Sequence, residues 1–340
     1  MRMQQLLPLS ALYQLVVAVK NQAYAHGWAK PATLQWPVIS IGNLSVGGAG
    51  KTPFTIYLAQ LLTTAGFRVD VLSRGYGRSG GGVARVDPAG SAADFGDEPV
   101  LIAREAHVPV FVGASRHTAG LLAERTLAAD TRPHVHLLDD GLQHRKLARD
   151  LDIVLVHRSD LTAKMLPAGR LREPLAALGR AHAVVLREED ADLEPWVRRY
   201  LRPGAHLWSM QRSLDLAWPV SRAVSFCAIA HPADFAAGLR AHGITLADSF
   251  AWRDHHRYAL ADMRALAAAA RKSNAEAFIT TAKDAIKLDR RLLEELGRSA
   301  PLVVATLAVR LRDEQAFLEQ ISGLLSARYS TEPEPSQPGQ

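Results

Sequence analysis

The chain has 340 residues, of which 48% are hydrophobic and 22% are charged, so it is long enough to bury a large core and to form about two domains. Forty Lys and Arg residues against 34 Asp and Glu residues give a net charge of +6, which suits an anionic partner: nucleic acid, an anionic membrane surface or a phosphorylated substrate. The single cysteine, Cys227, excludes an intrachain disulfide framework and indicates a reducing compartment.

The predicted elements begin with an apolar segment at the N-terminus. Its apolar side chains recur at the spacing of one helix face, at Leu12, Leu15, Val16 and Val19. The apolar run over residues 6–19 has 14 residues, fewer than the roughly 20 that cross a bilayer as a helix. A signal peptide cleaved near residues 23–25 is an alternative, but glutamines and Lys20 interrupt its pattern. We expect residues 1–25 to form an amphipathic, membrane-associating helix, or else a helix that packs on its own domain.

From residue 38 onwards, short apolar runs alternate with helical patterns. The runs predict strands at residues 38–43, 68–75, 108–113, 134–141, 152–157 and 182–187, and a helix over residues 51–65. The pattern then restarts, with apolar runs at 223–230, 277–284 and 301–309 and a helix over 232–242. This βαβα order predicts an α/β fold: a mainly parallel sheet with helices on both faces, plus a second, smaller α/β domain.

A glycine-rich segment, SVGGAGKTP, joins the first predicted strand to the helix that follows it. A phosphate-binding loop needs glycines where the backbone approaches phosphate oxygens, a lysine for the outer phosphates and a hydroxyl for Mg²⁺, all at a helix N-terminus. All these residue types are present, although serine stands where the general motif begins with glycine. The pattern predicts a P-loop NTPase-like sheet. The predicted nucleotide-binding residues are Ser45, Val46, Gly47, Gly48, Ala49, Gly50, Lys51 and Thr52.

Acidic residues stand at two places where they would meet such a loop. Asp139 and Asp140 end an apolar strand, the position from which a P-loop protein holds Mg²⁺ directly or through water. A turn or helix cap before Gly141 is the alternative. Asp97 and Glu98 lie between a glycine-rich loop and a predicted helix, where helix capping is a competing role.

A third polar cluster, DHHRY, lies in the smaller predicted domain. It offers Asp254, His255 and His256, which form either a surface patch or part of a site. If the two domains close over a nucleotide, a carboxylate from one and an imidazole from the other would together take a proton from an acceptor hydroxyl. In that case the protein is a kinase.

Seven short motifs occur in an order that resembles one known family. They are GNLSVGGAGKTP, SRGYGR, GDEP, DDGLQH, LREP, DHHRY and TAKDAIKL. From about residue 5 to residue 310, the chain resembles the tetraacyldisaccharide 4'-kinase (lipid A 4'-kinase) family of Gram-negative envelopes. The resemblance implies transfer of the ATP γ-phosphate to the 4'-hydroxyl of tetraacyldisaccharide 1-phosphate, which forms lipid IVA, with Mg²⁺ as a cofactor. It also implies a peripheral or monotopic location at the cytoplasmic face of the inner membrane.

The resemblance also implies roles for individual residues. Asp97 would be the catalytic base and His255 its partner. Mg²⁺ is expected at Thr52, Asp139, Asp140 and Glu173. Contacts to substrate or phosphate are expected from Arg74, Tyr76, Arg116, Gln143, His144 and Arg172.

The chain departs from the family pattern at two motifs. Ala282 stands in TAKD where we expect glutamate, so any contact made by that glutamate is absent. Alanines stand in CAIAHP where the family more often has glycines.

Four segments and a set of partners follow from these observations. We expect a membrane-associating helix over 1–25, a P-loop kinase domain over 26–215, a smaller α/β domain with a closing C-terminal helix over 216–325, and a disordered tail over 326–340. The expected partners are the lipid disaccharide and an anionic membrane surface, without nucleic acid, and the chain is expected to be a monomer.

Two other classes of protein are alternatives. A P-loop GTPase or metal-centre chaperone would need an N/T-K-x-D motif, but Lys283 directly precedes Asp284 in this chain. A basic nucleic-acid-binding protein or partition ATPase would need a clustered basic stripe, whereas the basic residues here are scattered.

Overall fold

A computed structural model describes residues 6–127 and 132–330. Its strands are β1 Val38–Asn43, β2 Arg68–Ser73, β3 Ala84–Arg85, β4 Val110–Val112, β5 His134–Asp139, β6 Leu151–Val156, β7 Ala183–Arg187, β8 His206–Leu216, β9 Arg222–Cys227, β10 Thr245–Ala251, β11 Ala277–Thr281 and β12 Leu302–Leu311. Its helices are α1 Leu7–Ala25, α2 Lys51–Thr64, α3 Ala92–Phe95, α4 Asp97–Ala106, α5 Arg116–Leu127, α6 Glu194–Val197, α7 Pro232–Ala241, α8 Leu260–Ser273, α9 Ala282–Ala285, α10 Arg290–Gly297 and α11 Glu314–Ser330. Short 3-10 helices cover Arg158–Asp160, Leu175–Arg180, Glu188–Leu193 and Arg198–Tyr200.

The strands form one sheet in the order β10-β9-β11-β12-β8-β7-β6-β1-β5-β2-β4-β3. Neighbouring strands are parallel except at β3/β4 and β8/β12. Helices cover both faces, because successive side chains of a strand point to opposite sides. Val71 packs in the same cluster as Phe54 of α2, while the next residue, Leu72, packs in the cluster of Ala119 of α5. The predicted α/β fold with a mainly parallel sheet is confirmed.

The antiparallel pair β8/β12 joins two parallel parts of the sheet. We call residues 222–311, with β9 to β12 and α7 to α10, the small half, and the other described residues the large half. β8 pairs with β7 up to Met210, and β12 pairs with β11 up to Ala305. From these two residues onward the two strands pair with each other over seven register positions, a two-stranded ribbon about 20 Å long.

The ribbon determines where the loops of the two halves lie. Because β12 runs opposite to β8, the carboxyl ends of the strands in the two halves face each other across the ribbon. Loops that follow strands of either half therefore meet in one cleft. The boundary predicted between residues 215 and 216 lies at the end of β8, in this ribbon. The division into separate domains stays a prediction, because one hydrogen-bonded sheet runs through both halves.

The C-terminal helix α11 packs on the large half. Phe317 and Ile321 are buried in the same cluster as Phe54 of α2. At the start of the helix, Tyr57 Oη donates a hydrogen bond to Glu314 at 2.9 Å. α11 ends at Ser330, so its last five residues lie in the segment predicted as a disordered tail. Residues 331–340 lie outside the described residues.

The N-terminal helix α1 is attached to the large half along one side only. Ser10 Oγ donates to the Met165 carbonyl at 3.0 Å, and Tyr13 Oη donates to the Arg172 carbonyl at 3.2 Å. The opposite side exposes Leu9, Leu12, Leu15, Val16 and Val19. In the described part of the chain, no helix has both the length and the hydropathy needed to span a membrane. Residues 1–5 of the predicted segment lie outside the described residues.

Candidate active site

The predicted phosphate loop lies between β1 and α2, at the carboxyl edge of the large half. Gly47, Gly48 and Gly50 have φ angles of 79°, 66° and 84°, in the left-handed region that side chains enter only with strain. α2 begins at Lys51, with Thr52 as its second residue. Left-handed glycines followed by a helix N-terminus form a concavity of backbone N–H groups that binds anions.

Two neighbouring segments hold this loop in place. Lys51 Nζ donates to Asn43 Oδ1 at 2.9 Å, which links the start of α2 to the end of β1. The Val46 N–H donates to the Arg170 carbonyl at 2.8 Å, and the Arg170 guanidinium returns a bond to the Val46 carbonyl at 2.9 Å. The chain around Arg170 therefore braces the first half of the loop.

Asp140 is held by two cations from the same region. Arg172 donates to both of its carboxylate oxygens at 2.7 Å, and Lys51 Nζ lies 3.5 Å from Oδ1. Burial opposes ionisation, but Lys51 and Arg172 hold the pKa of Asp140 well below its usual range. Asp140 also has a positive φ of 52°. The ionised carboxylate thus fixes the lysine of the phosphate loop.

Asp139, the last residue of β5, has a different environment. Its carboxylate is buried and accepts hydrogen bonds from Ser73 at 3.3 Å and from Thr55 at 3.5 Å. Burial, with the negative charges of Glu98 and Asp140, raises the pKa of Asp139 to about 7. A bound cation would reverse this effect, because it favours the ionised carboxylate.

The structure brings Asp97 and His255 together from opposite halves of the molecule. Asp97 is the first residue of α4, and its Oδ2 lies 3.0 Å from His255 Nδ1. Burial opposes ionisation, but the hydrogen bond from His255 and the charge of Lys283 lower the pKa of Asp97. The same hydrogen bond raises the pKa of His255. His255 has a φ of 62°, and such strained backbone is concentrated at functional sites.

A second contact between the halves runs beside this pair. Lys283 Nζ, from α9 of the small half, lies 3.0 Å from Glu98 Oε1 of the large half. It also lies 3.4 Å from Asp254 Oδ1. Glu98 follows Asp97 and Asp254 precedes His255, so the two contacts are adjacent along both segments.

Arg74 and Tyr76 lie on the loop after β2, and Arg116 is the first residue of α5. The Tyr76 ring centroid is 5.5 Å from that of His255. Arg116 is buried at the start of α5, and its Nε has no hydrogen-bond partner. Burial and the positive charge of Arg74 lower the pKa of Arg116, against the effects of Asp140 and Asp139. Arg116 therefore lies near Arg74 and near Asp139 and Asp140.

Three other predicted residues lie towards α1. Gln143 Nε2 donates to the Asn43 carbonyl at 3.0 Å. Burial and the charge of Arg116 lower the pKa of His144 to about 4, so this imidazole is neutral at pH 7. Glu173 is buried, and its Oε2 accepts hydrogen bonds from Arg180 at 2.8 Å and from Asn21 of α1 at 3.0 Å. These partners attach Glu173 to α1, and its role as a metal ligand stays a prediction.

The sequence did not predict a site role for several residues that contact the phosphate loop or the cleft beside it. Arg187 Nη2 donates to the Gly48 carbonyl at 3.1 Å. His231 of the small half lies against Gly48 so closely that a Cβ there would be 2.0 Å from its ring. Asn43 carries a local signal, since it is a polar residue at the end of an apolar strand. Lys283 carries a weaker one, a lysine within the TAKD motif.

The residues present fit a magnesium ion bound together with phosphates. Within residues 6–127 and 132–330, no group of three or more His, Cys, Asp or Glu side chains is arranged to hold a metal. Mg²⁺ commonly binds one or two carboxylates and takes its remaining ligands from substrate phosphates and water. Asp139, a buried carboxylate with a raised pKa beside the phosphate loop, is the donor expected for such a site.

The fold and the site together define a class of protein. A phosphate loop, a pair of aspartates ending the neighbouring strand and a carboxylate–imidazole pair across a cleft are the features of a P-loop phosphotransferase. The family described as Tetraacyldisaccharide-1-P 4'-kinase matches residues 3–326. The chain belongs to the tetraacyldisaccharide 4'-kinase family.

Individual relatives agree with this match. A protein of Koribacter versatilis called Tetraacyldisaccharide 4'-kinase is 41% identical over 331 residues, which are 94% of this chain and 99% of the relative. One of Chromobacterium violaceum with the same name is 39% identical over 317 residues, 89% of this chain and 90% of the relative. The crystal structure of the "apo" form of LpxK from Aquifex aeolicus in complex with ATP has a TM-score of 0.75 and 34% identity, over 96% of this chain and 100% of that chain.

A methyl group at Gly48 tests the phosphate loop. We expect Gly48→Ala to raise the Kd for ATP at least about tenfold, because a side chain strains the backbone at φ 66° and collides with the His231 ring. Isothermal titration calorimetry measures this. Gly81→Ala is the matched control, since no atom lies within 4 Å of a Cβ there. An unchanged Kd for Gly48→Ala would contradict the assignment.

Proposed function

We propose that this chain transfers the γ-phosphate of ATP to the 4'-hydroxyl of tetraacyldisaccharide 1-phosphate, which forms lipid IVA in lipid A biosynthesis. The observation that carries the proposal is the 3.0 Å contact between Asp97 and His255 at the cleft of the phosphate loop. Family membership and the ATP complex of the Aquifex aeolicus structure support it. They favour it over a GTPase or a partition ATPase.

Asp97 acts as the general base in this proposal. The acceptor oxygen forms a bond to the γ-phosphorus, the bond from phosphorus to the bridging oxygen breaks, and ADP leaves. Asp97 accepts the hydroxyl proton as this happens. His255 holds the carboxylate through Nδ1, and the lowered pKa of Asp97 keeps it ionised at neutral pH. Only modest basicity is needed, because the transition state of phosphoryl transfer is loose.

The phosphate loop and β5 bind the nucleotide. Residues 45–52 cradle the phosphates, and Lys51, fixed by Asn43 and Asp140, reaches the outer ones. Thr52 and Asp139 would hold Mg²⁺, with Asp140 contributing through water. When bound, the ion supplies charge neutralisation of the phosphates. Arg74 and Arg116 contribute positive charge where the acceptor and the transferred group meet.

The N-terminal helix supports a location at the cytoplasmic face of the inner membrane. Five large apolar side chains of α1, at Leu9, Leu12, Leu15, Val16 and Val19, are between 50% and 61% exposed on one side. Beneath the helix, a cavity of about 400 Å³ is lined by Leu7, Ser10, Met165 and Leu175 among others. An exposed apolar helix face on a chain of charge +6 binds an anionic bilayer through both its apolar area and its charge. A peripheral or monotopic monomer would reach its lipid there.

Transfer of labelled phosphate from Mg-ATP to tetraacyldisaccharide 1-phosphate in detergent micelles tests the activity. The intact protein is expected to form phosphorylated lipid, and Asp97→Ala to lower kcat by about a hundredfold or more, because the general base is lost. Asp94→Ala removes an exposed carboxylate three residues away and is the matched control. Bound ATP without any lipid product from the intact protein would contradict this acceptor.

Serine in place of Leu12, Leu15, Val16 and Val19 tests the membrane association. We expect this variant to bind vesicles of phosphatidylethanolamine and phosphatidylglycerol at least about tenfold more weakly, with an unchanged Kd for ATP, because apolar area is lost only on the exposed side. Cosedimentation measures binding. The control places serine at Leu293 and Leu324, which are similarly exposed on α10 and α11. Equal losses of vesicle and ATP binding would show that this side of α1 is structural.

A further inference from the structure

Lys283 makes a second link across the cleft, parallel to the contact of the catalytic pair. Its ammonium lies 3.0 Å from Glu98 and 3.4 Å from Asp254. Only 18% of its side chain is exposed. Glu98 directly follows Asp97 in the sequence, and Asp254 directly precedes His255. A cation that binds both neighbours therefore constrains the separation of the pair itself.

We propose that Lys283 is a positioning residue of the transfer reaction: by bridging Glu98 and Asp254, it holds Asp97 and His255 at hydrogen-bond distance. The inference rests on the proposed function for its role in catalysis. The bridge itself is a property of the structure.

The backbone that carries Lys283 is fixed by its neighbour in sequence. Asp284 is fully buried and accepts hydrogen bonds from the Ala228 N–H at 3.0 Å, from Thr281 Oγ1 at 2.7 Å and from Lys287 at 2.8 Å. These bonds attach α9 to the end of β9. The loop that follows β9 contains His231, which lies against Gly48 of the phosphate loop. Lys283 therefore projects from a rigid part of the small half that also contacts the phosphate loop.

Without a cation between them, the acids at this cleft would repel one another. Asp97, Glu98 and Asp254 bring three carboxylates to one place, and like charges at such distances oppose ionisation. The charged groups that face Asp97 are His255, Lys283 and Lys287. Those that face His255 are Asp97, Asp254 and Lys283, with the Tyr76 ring alongside. Lys283 lowers the pKa of both residues of the pair, but the hydrogen bond to Asp97 is the larger influence on His255 and raises its pKa. If removal of Lys283 also breaks that hydrogen bond, the pKa of Asp97 rises and the pKa of His255 falls.

Lys283→Met and Lys283→Arg test the bridge in the transfer assay, beside the intact protein. We expect Lys283→Met to keep its Tm and its Kd for ATP while kcat falls at least about tenfold, because the base and its partner lose alignment. The acid limb of its kcat profile should move to higher pH, since Asp97 then ionises at higher pH. Lys283→Arg keeps the charge and should recover most of kcat.

An NMR titration of the His255 imidazole tests the same bridge without transfer activity, with His255→Gln used to assign the signal. A lower pKa of His255 in Lys283→Met than in the intact protein supports the inference, because the hydrogen bond to Asp97 is the main influence that raises this pKa. An unchanged or higher pKa of His255 in Lys283→Met would show that the hydrogen bond between Asp97 and His255 persists without the bridge, and would overturn the inference. A loss of kcat that accompanies a lower Tm and weaker ATP binding, and that Lys283→Arg does not recover, would also overturn the inference. An intact protein that makes no lipid product would contradict the proposed function alone, because the NMR comparison still decides the bridge.

Discussion

The antiparallel pairing of β8 with β12 is the constraint on which the site depends. Within each half, the strands that carry site loops run parallel and end at one edge, as the connections of an α/β sheet require. If the strands of the small half ran in the same direction as those of the large half, the loops after both sets of strands would lie side by side along one edge of the sheet. Reversal at the ribbon instead turns the two edges toward each other, so that Asp254, His255 and Lys283 face the phosphate loop and α4.

The charges in this cleft are arranged in two groups with different consequences. Around the phosphate loop, Asp140 forms ion pairs with Lys51 and Arg172, so its carboxylate orients two cations of the loop region. Among the described residues Asp139 forms no ion pair of this kind, and burial with the charges of Glu98 and Asp140 raises its pKa to about 7, which suits the proposed role as a magnesium ligand. Across the cleft, Asp97 is held by an imidazole and kept ionised. Three nearby aspartates thus differ in how readily they ionise because their neighbours differ, which is why we propose separate roles for them.

Much of this organisation could be predicted from local patterns. The phosphate loop has a pattern of glycines, lysine and hydroxyl within nine residues. β1 and β5 are buried along their whole length, and each carries three large apolar side chains that mark it as a strand. β8 and β10 were not predicted, because their residues alternate between exposed and half-buried and so give weak apolar runs. The reversal at the ribbon could not be predicted without β8. The position of Lys283 depends on a contact with Glu98, 185 residues away, which spacing alone does not reveal.

The central claim is that Asp97 and His255 act as one unit assembled from the two halves. A double-mutant cycle with Asp97→Asn, His255→Gln and the double variant tests this most directly, with kcat for phosphate transfer to tetraacyldisaccharide 1-phosphate as the measurement. The account predicts that the double variant is about as slow as the slower single variant, because either substitution already disables the unit. Losses that multiply in the double variant would show that the two residues act independently and would contradict the account.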